Sequence, residues 1–147
     1  MKVLIASDHA GFALKQALKA HLQGAGHEVV DLGAFSADPA DYPDFAHALA
    51  QQIQREPGAR GILICATGIG MSMAANRHPG VRAALCHDAY TAEMARRHND
   101  ANILCLGGKV TGEAVARQMV EIFLATPFDG GRHSGRVAKL EAYHGPA

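Results

Sequence analysis

Gly61-Ile62-Leu63-Ile64-Cys65-Ala66-Thr67-Gly68-Ile69-Gly70-Met71-Ser72 is an apolar run that ends on a thiol and then breaks into small residues. It reads as a buried strand that presents Cys65 at its carboxyl end, followed by a turn that opens a helix. Amides from Ala66 to Ser72 would point out of that turn, and the helix adds its positive end, so an anion could rest there. The same field favours the thiolate of Cys65.

Upstream, Val3–Ser7 reads as a short buried strand, with Asp8-His9-Ala10-Gly11 as the turn after it. Phe12, Ala13, Leu14, Ala17, Leu18 and Leu22 then recur at helical spacing, with Lys15, Gln16 and Lys19 between them. Gly24 and Gly26 stop this helix, and His27–Leu32 is a second strand. A strand-helix-strand unit of this kind is right-handed. Gly33–Asp41 is a loop, and Tyr42-Pro43-Asp44 leads into a helix with Phe45, Ala46, Leu49, Ala50 and Ile53 on one face, ended by Pro57-Gly58.

Downstream, a short helix from about Gly70 to Asn76 precedes a strand at Val81–Cys86. His87-Asp88 opens a helix over Ala89–Arg97, which His98-Asn99-Asp100 closes. Ile103–Leu106 is the last strand, and Gly107-Gly108-Lys109 turns into a helix from Thr111 to Leu124, with Thr111 and Glu113 as N-terminal residues. After Pro127, Asp129-Gly130-Gly131-Arg132-His133 enters a final helix through Tyr143, with a frayed Gly-Pro-Ala end. About five strands alternating with about six helices predict an α/β fold: one domain over residues 1–147, built on a doubly wound parallel sheet. Ligands collect at the carboxyl ends of the strands in such sheets.

The totals exclude several classes. Fourteen basic and fourteen acidic residues cancel, which predicts neither a nucleic-acid surface nor a polybasic membrane anchor. No apolar run approaches the roughly 20 residues that span a bilayer, and Asp8-His9 soon after the first strand is unlike a signal peptide. Three cysteines, Cys65, Cys86 and Cys105, with no Cys-x-x-Cys pair, argue against a disulfide framework and for the cytoplasm.

Gly68-Ile69-Gly70-Met71-Ser72-Met73 matches the first two glycines of a dinucleotide fingerprint, with Asp88 about where the ribose-binding acid belongs. Met73 replaces the third glycine and the motif follows the third strand, so nicotinamide binding is not expected. A Walker loop fails for want of Lys-Ser or Lys-Thr. A cysteine-phosphatase loop needs an arginine fork, and position 71 is methionine. By local sequence alone, Cys65 reads as a buried strand cysteine, Asp8 as a helix cap, His98-Asn99-Asp100 as a polar helix stop, and Arg132 and Arg136 as a solvated basic face one turn apart. His9, His87 and His98 as metal ligands have no supporting spacing. Jointly these residues propose a small anionic substrate under a ring of polar loops.

Ser7-Asp8-His9-Ala10-Gly11-Phe12 with Leu14-Lys15, Asp41-Tyr42-Pro43, Cys65-Ala66-Thr67-Gly68-Ile69-Gly70, Ala75-Asn76, Arg96-Arg97-His98-Asn99-Asp100, and Gly130-Gly131-Arg132-His133 with Arg136 occur in order over almost the whole chain. This pattern closely resembles the type B ribose-5-phosphate isomerases, a family that also holds allose-6-phosphate isomerase and the galactose-6-phosphate isomerase subunits. The resemblance implies a Rossmann-like fold with helices on both faces, a homodimer or dimer of dimers, no metal or other cofactor, and interconversion of ribose 5-phosphate and ribulose 5-phosphate.

It further implies roles. Cys65 is the base that moves a proton between C2 and C1, and His98 opens the furanose ring. The amides of Ala66, Gly68, Ile69 and Gly70 hold the enediolate oxygen, and Thr67 stands close to the reacting carbons. Asp8 and Tyr42 contact the sugar, and Asn99 fixes a hydroxyl. His9, Arg132, Arg136 and, less strongly, Lys109 hold the phosphate. His98 and Asn99 would serve the Cys65 of a second copy. Ala66 stands where many members have glycine, and Lys109 where some have arginine. The alternatives are the same reaction on a six-carbon sugar phosphate, or a non-catalytic subunit that binds sugar phosphate.

Overall fold

A computed structural model describes residues 1–143. The elements follow the order β1 (Lys2–Ser7), α1 (Phe12–Gly24), β2 (Glu28–Asp31), α2 (Tyr42–Arg55), β3 (Arg60–Cys65), α3 (Ile69–Ala75), β4 (Ala83–Leu85), α4 (Ala89–Arg97), β5 (Ile103–Gly107), α5 (Glu113–Ala125) and α6 (Arg132–Ala142). The five strands form one parallel sheet in the order β2-β1-β3-β5-β4. The expected Rossmann-like architecture is what the chain adopts. The expected frayed Gly-Pro-Ala end lies outside the described residues.

Strand alternation divides the core. Val3, Ile5, Ile62, Ile64, Leu104 and Leu106 pack on one face with Leu18 of α1, Ala92 of α4, and Met119, Val120 and Phe123 of α5. Leu4, Ala6, Leu63, Cys65, Ile103 and Cys105 pack on the other with Leu49 and Ile53 of α2 and Met71 of α3. Burial on both faces explains why the strands read as continuous apolar runs.

Three local readings change. The fourth strand shrinks from the expected Val81–Cys86 to three residues at the sheet edge. There the Asn76 side chain accepts from the Ala83 amide at 2.8 Å and donates to its carbonyl at 2.9 Å, occupying groups a further strand would use. Thr111 does not begin α5: Gly112 is the N-cap, while Thr111 is buried in the preceding turn with its amide on the Gly107 carbonyl at 2.9 Å. Lys15, expected among the polar helix positions, is fully buried. Its ammonium donates to Asp31 Oδ1 at 2.7 Å and to the Ala34 carbonyl at 2.5 Å, which ties the loop after β2 to α1. Burial works against the Asp31 charge, yet hydrogen bonds from Lys15, the Gly33 amide and Lys19 outweigh it and hold the carboxyl below its ordinary value.

The chain order α1 and β2 to one side of β1, then β3 and β5 to the other, puts the topological switch between β1 and β3. Asp8 follows β1 and Cys65 ends β3. The crevice outside these two strand ends is where the fold admits a ligand.

Candidate active site

Cys65 is 4% exposed at the end of β3, and the Gly68 amide donates to its Sγ at 3.1 Å. The turn closes this tightly because Gly68 takes a left-handed φ of 81°. A Cβ there would also stand 2.9 Å from the Leu106 backbone. Neighbouring turns lock around it: the Gly108 amide donates to the Cys65 carbonyl at 2.8 Å, and the Lys109 amide to the Ala66 carbonyl at 3.0 Å. Cys86 and Cys105 are also free and buried. Burial pushes the Cys86 thiol up to about 11 and the Cys105 thiol higher still, so both stay protonated near neutral pH.

Not every amide expected to face an anion does so. Ser72 donates to the Gly68 carbonyl at 3.1 Å inside α3, Gly68 is turned to the thiol, and Ile69 donates to Thr67 Oγ1 at 3.2 Å. Gly70 remains in the first helical turn, where amides have no intrahelical acceptor. Because Thr67 Oγ1 accepts from Ile69, its own hydroxyl proton is free to reach a substrate oxygen.

Asp8, 5% exposed, accepts from the Gly11 amide at 3.1 Å and so shapes the turn after β1 rather than capping α1, whose N-cap Gly11 has no side-chain partner. His9 Nδ1 stands 3.1 Å from the Ala40 amide and 3.3 Å from the Ala40 carbonyl, so this nitrogen anchors the ring to the loop before α2. Nε2 is the ring nitrogen left to meet an anion. The Tyr42 ring lies over the start of α3: a Cβ on Gly70 would sit 2.5 Å from it. Asp8, His9, Tyr42, Cys65, Ala66, Thr67, Gly68, Ile69, Gly70 and Lys109 therefore share the carboxyl edge of the sheet.

His98, Asn99, Arg132 and Arg136 do not. Helix α4 leaves the carboxyl end of β4 and runs back to the amino end of β5, so the residues after it sit at the opposite edge. The Asn102 carbonyl accepts from Gly61 at 2.9 Å, beside the start of the strand whose other end is Cys65. Strand β3 alone spans roughly 17–20 Å. His98, Asn99, His133 and Arg136 with Val137 and Leu140 line a cavity of about 320 Å³. Asp100 holds this corner in shape: it takes a left-handed φ of 47° while its carboxylate accepts from Arg96 at 2.9 Å. Arg132 and Arg136, expected beside His9, thus belong with His98. The candidate residues thus form two groups at opposite edges of the sheet.

His133 had no expected role, although it is buried and its ring stacks on His98 with centroids 4.3 Å apart and planes 12° from parallel. The signal lay in its spacing with Val137 and Leu140, which puts the three on one face of α6 over the same cavity. His98, Asp129 and His133 place donor atoms within 4.8 Å of one another, a different set from His9, His87 and His98. Parallel stacked rings aim their nitrogens side by side, however, whereas a metal needs donors converging at about 2 Å.

A thiol beneath a helix-opening turn at the switch point, with imidazoles and arginines presented on the opposite edge, fits an enzyme of proton transfer on a small anionic substrate, built on a Rossmann-like sheet. The family model described as Ribose/Galactose Isomerase matches residues 3–140, and the chain belongs to that family. Ribose-5-phosphate isomerase B of Escherichia coli is 41% identical over 141 residues, covering 96% of this chain and 95% of that protein. The ribose 5-phosphate isomerase structure from Thermotoga maritima superposes with a TM-score of 0.94 at 50% identity, covering 97% of this chain and 98% of the other. Ribose-5-phosphate isomerase B from Mycoplasma genitalium, solved with bound ribulose-5-phosphate, superposes with a TM-score of 0.92 at 42% identity over 95% and 93% of the two chains.

Proposed function

We propose that this chain is a ribose-5-phosphate isomerase that interconverts D-ribose 5-phosphate and D-ribulose 5-phosphate in sites shared between two copies. The reading rests above all on Cys65, seated beneath the turn with the Gly68 amide 3.1 Å from its sulfur. Full-length similarity to ribose-5-phosphate isomerases supports the substrate. In the sequence of steps, His98 of a second copy gives a proton to the ring oxygen while the anomeric O1–H gives its proton to solvent, so the C1–O4 bond breaks and the furanose opens to the aldehyde. The Cys65 thiolate then removes the C2 proton, and the Gly70 amide, which has no intrahelical acceptor, holds the enediolate oxygen. The thiol returns the proton to C1 while the hydroxyl proton passes from O2 to O1 beside Thr67. Each donor aimed at the oxyanion is worth roughly 3–4 kcal/mol of barrier.

His9 and Lys109 of one copy and Arg132 and Arg136 of the other hold the phosphate, which orients the sugar at a distance from the reacting carbons. Asp8, Tyr42 and Asn99 bind hydroxyls. The opposite placement of Cys65 and His98 favours a homodimer, alone or paired into a dimer of dimers, over a monomer. The chain acts as one domain, in the cytoplasm, within the non-oxidative pentose phosphate pathway; among the described residues no helix is long and apolar enough to cross a membrane.

Turnover of ribose 5-phosphate, allose 6-phosphate and galactose 6-phosphate by the chelator-treated protein tests the assignment. Ribose 5-phosphate is expected to be preferred by at least about tenfold in kcat/KM. Preference for a six-carbon substrate would overturn it, and tight binding of all three without turnover would assign a non-catalytic subunit.

A further inference from the structure

His133 stands outside the reaction steps given above, yet its setting is specific. The residue is 8% exposed, in the first turn of α6, and its ring lies flat against that of half-buried His98 at the end of α4. The approach to α6 is tied to α4 by the Asp129 amide on the Arg97 carbonyl at 3.0 Å, and Gly130 and Gly131, with φ of 67° and 54°, allow the sharp entry that brings His133 under His98. Asp129, Arg132 and Arg136 are the other charged groups around it. Burial, and then the positive charges of His98, Arg132 and Arg136, lower its pKa against the opposing pull of Asp129, which favours the neutral form of the ring. A neutral aromatic face accepts a neighbouring imidazole by stacking when that ring is neutral and by cation–π attraction when it is charged. It can therefore hold a group that gains and loses a proton during turnover.

We propose that His133 is a positioning residue for ring opening: its buried, flat ring fixes the His98 imidazole in the orientation from which it reaches the substrate's ring oxygen. This rests on the assignment of His98 to ring opening. The substrates themselves separate the steps. Ribose 5-phosphate must be opened, whereas ribulose 5-phosphate carries phosphate on the oxygen that would close a five-membered ring and is already open. Exchange of its C1 hydrogen in D2O therefore reports proton transfer at Cys65 alone.

The test compares the parent with His133→Leu, His133→Phe and His98→Ala, each checked for fold by thermal melting, in both assays. His133→Leu keeps bulk but loses the flat face; it is expected to slow ribose 5-phosphate turnover by about 10- to 100-fold and change C1 exchange by less than about twofold. His133→Phe restores the face and should bring turnover back to within about threefold of the parent. Equal loss in both assays would overturn the proposal in favour of substrate anchoring, as would an unaffected His133→Leu. If His98→Ala itself spares ribose 5-phosphate turnover, the assignment of His98 fails, and with it the role of His133.

Discussion

Cys65→Ala is expected to reduce isomerisation of ribose 5-phosphate by about 10²- to 10⁴-fold, the range set by loss of a positioned acid-base group. The fold should survive, because alanine is smaller than the side chain it replaces and the turn is held from elsewhere. The Gly108 and Lys109 amides bond to backbone carbonyls at 65 and 66, and Gly68 owes its left-handed conformation to glycine. One interaction is lost, the Gly68 amide on Sγ at 3.1 Å, for which about 1–3 kcal/mol is a fair cost in a buried turn. Binding should also survive, since the phosphate contacts proposed above lie on His9, Lys109, Arg132 and Arg136. Rate measurement beside calorimetric titration with ribose 5-phosphate checks both halves: a rate within twofold of the parent would remove Cys65 from the reaction.

Gly11→Ala is expected to be among the most destabilising single methyl additions near the site. The added Cβ would lie 2.5 Å from the Ile64 carbonyl oxygen and 2.7 Å from its carbon, backbone atoms of a central strand that have nowhere to move. The Ile64 oxygen also accepts from the Asp8 amide at 3.3 Å, so relief of the clash pushes the turn after β1 away from the strand that carries Cys65. Overpacking of this kind costs about 1–3 kcal/mol, and more where backbone must shift. For a chain of this size that is a fall in Tm of roughly 4–10 °C. Activity should fall as well, because Asp8 and His9 ride on the displaced turn. Thermal melting decides it: a Tm unchanged within about a degree would show that the two backbones are less closely fitted than their geometry implies.

The fold was legible because buried parallel strands are apolar on both faces, so Val3–Ser7, Gly61–Cys65 and Ile103–Leu106 stood out as runs between turns. Strand β4 was overextended because Val81 and Cys86 look like strand interior, while its edge is closed by the Asn76 side chain, which periodicity does not show. Lys15 looked like any lysine between apolar helix positions; its burial depends on Asp31 and Ala34, which are distant in the chain and meet it only across the β1–β2 crossover. Thr111 had the chemistry of a cap, but the turn on Gly107 delays the helix beyond it.

The site was legible as residue types but not as a layout. Turn residues after β1, β3 and β5 must meet at one edge in any parallel sheet, so the group around Cys65 could be assembled from strand order. The position of Arg132 and Arg136 depends instead on how α6 docks, and Asp129 on Arg97 decides that by a contact no pattern announces. His133 was hidden for the same reason, its stacking partner being set by that docking.

The most direct test of a site shared between copies is complementation between Cys65→Ala and His98→Ala, each inactive by itself, after the two chains are mixed and allowed to exchange. In a hybrid dimer one site joins the intact Cys65 of one chain to the intact His98 of the other, and the second site lacks both. Random pairing makes half the dimers hybrid, so the mixture should recover about a quarter of the parent's ribose 5-phosphate isomerase activity. A mixture that exchanges subunits yet stays inactive would contradict the account, because Cys65 and His98 would then have to act from the same chain.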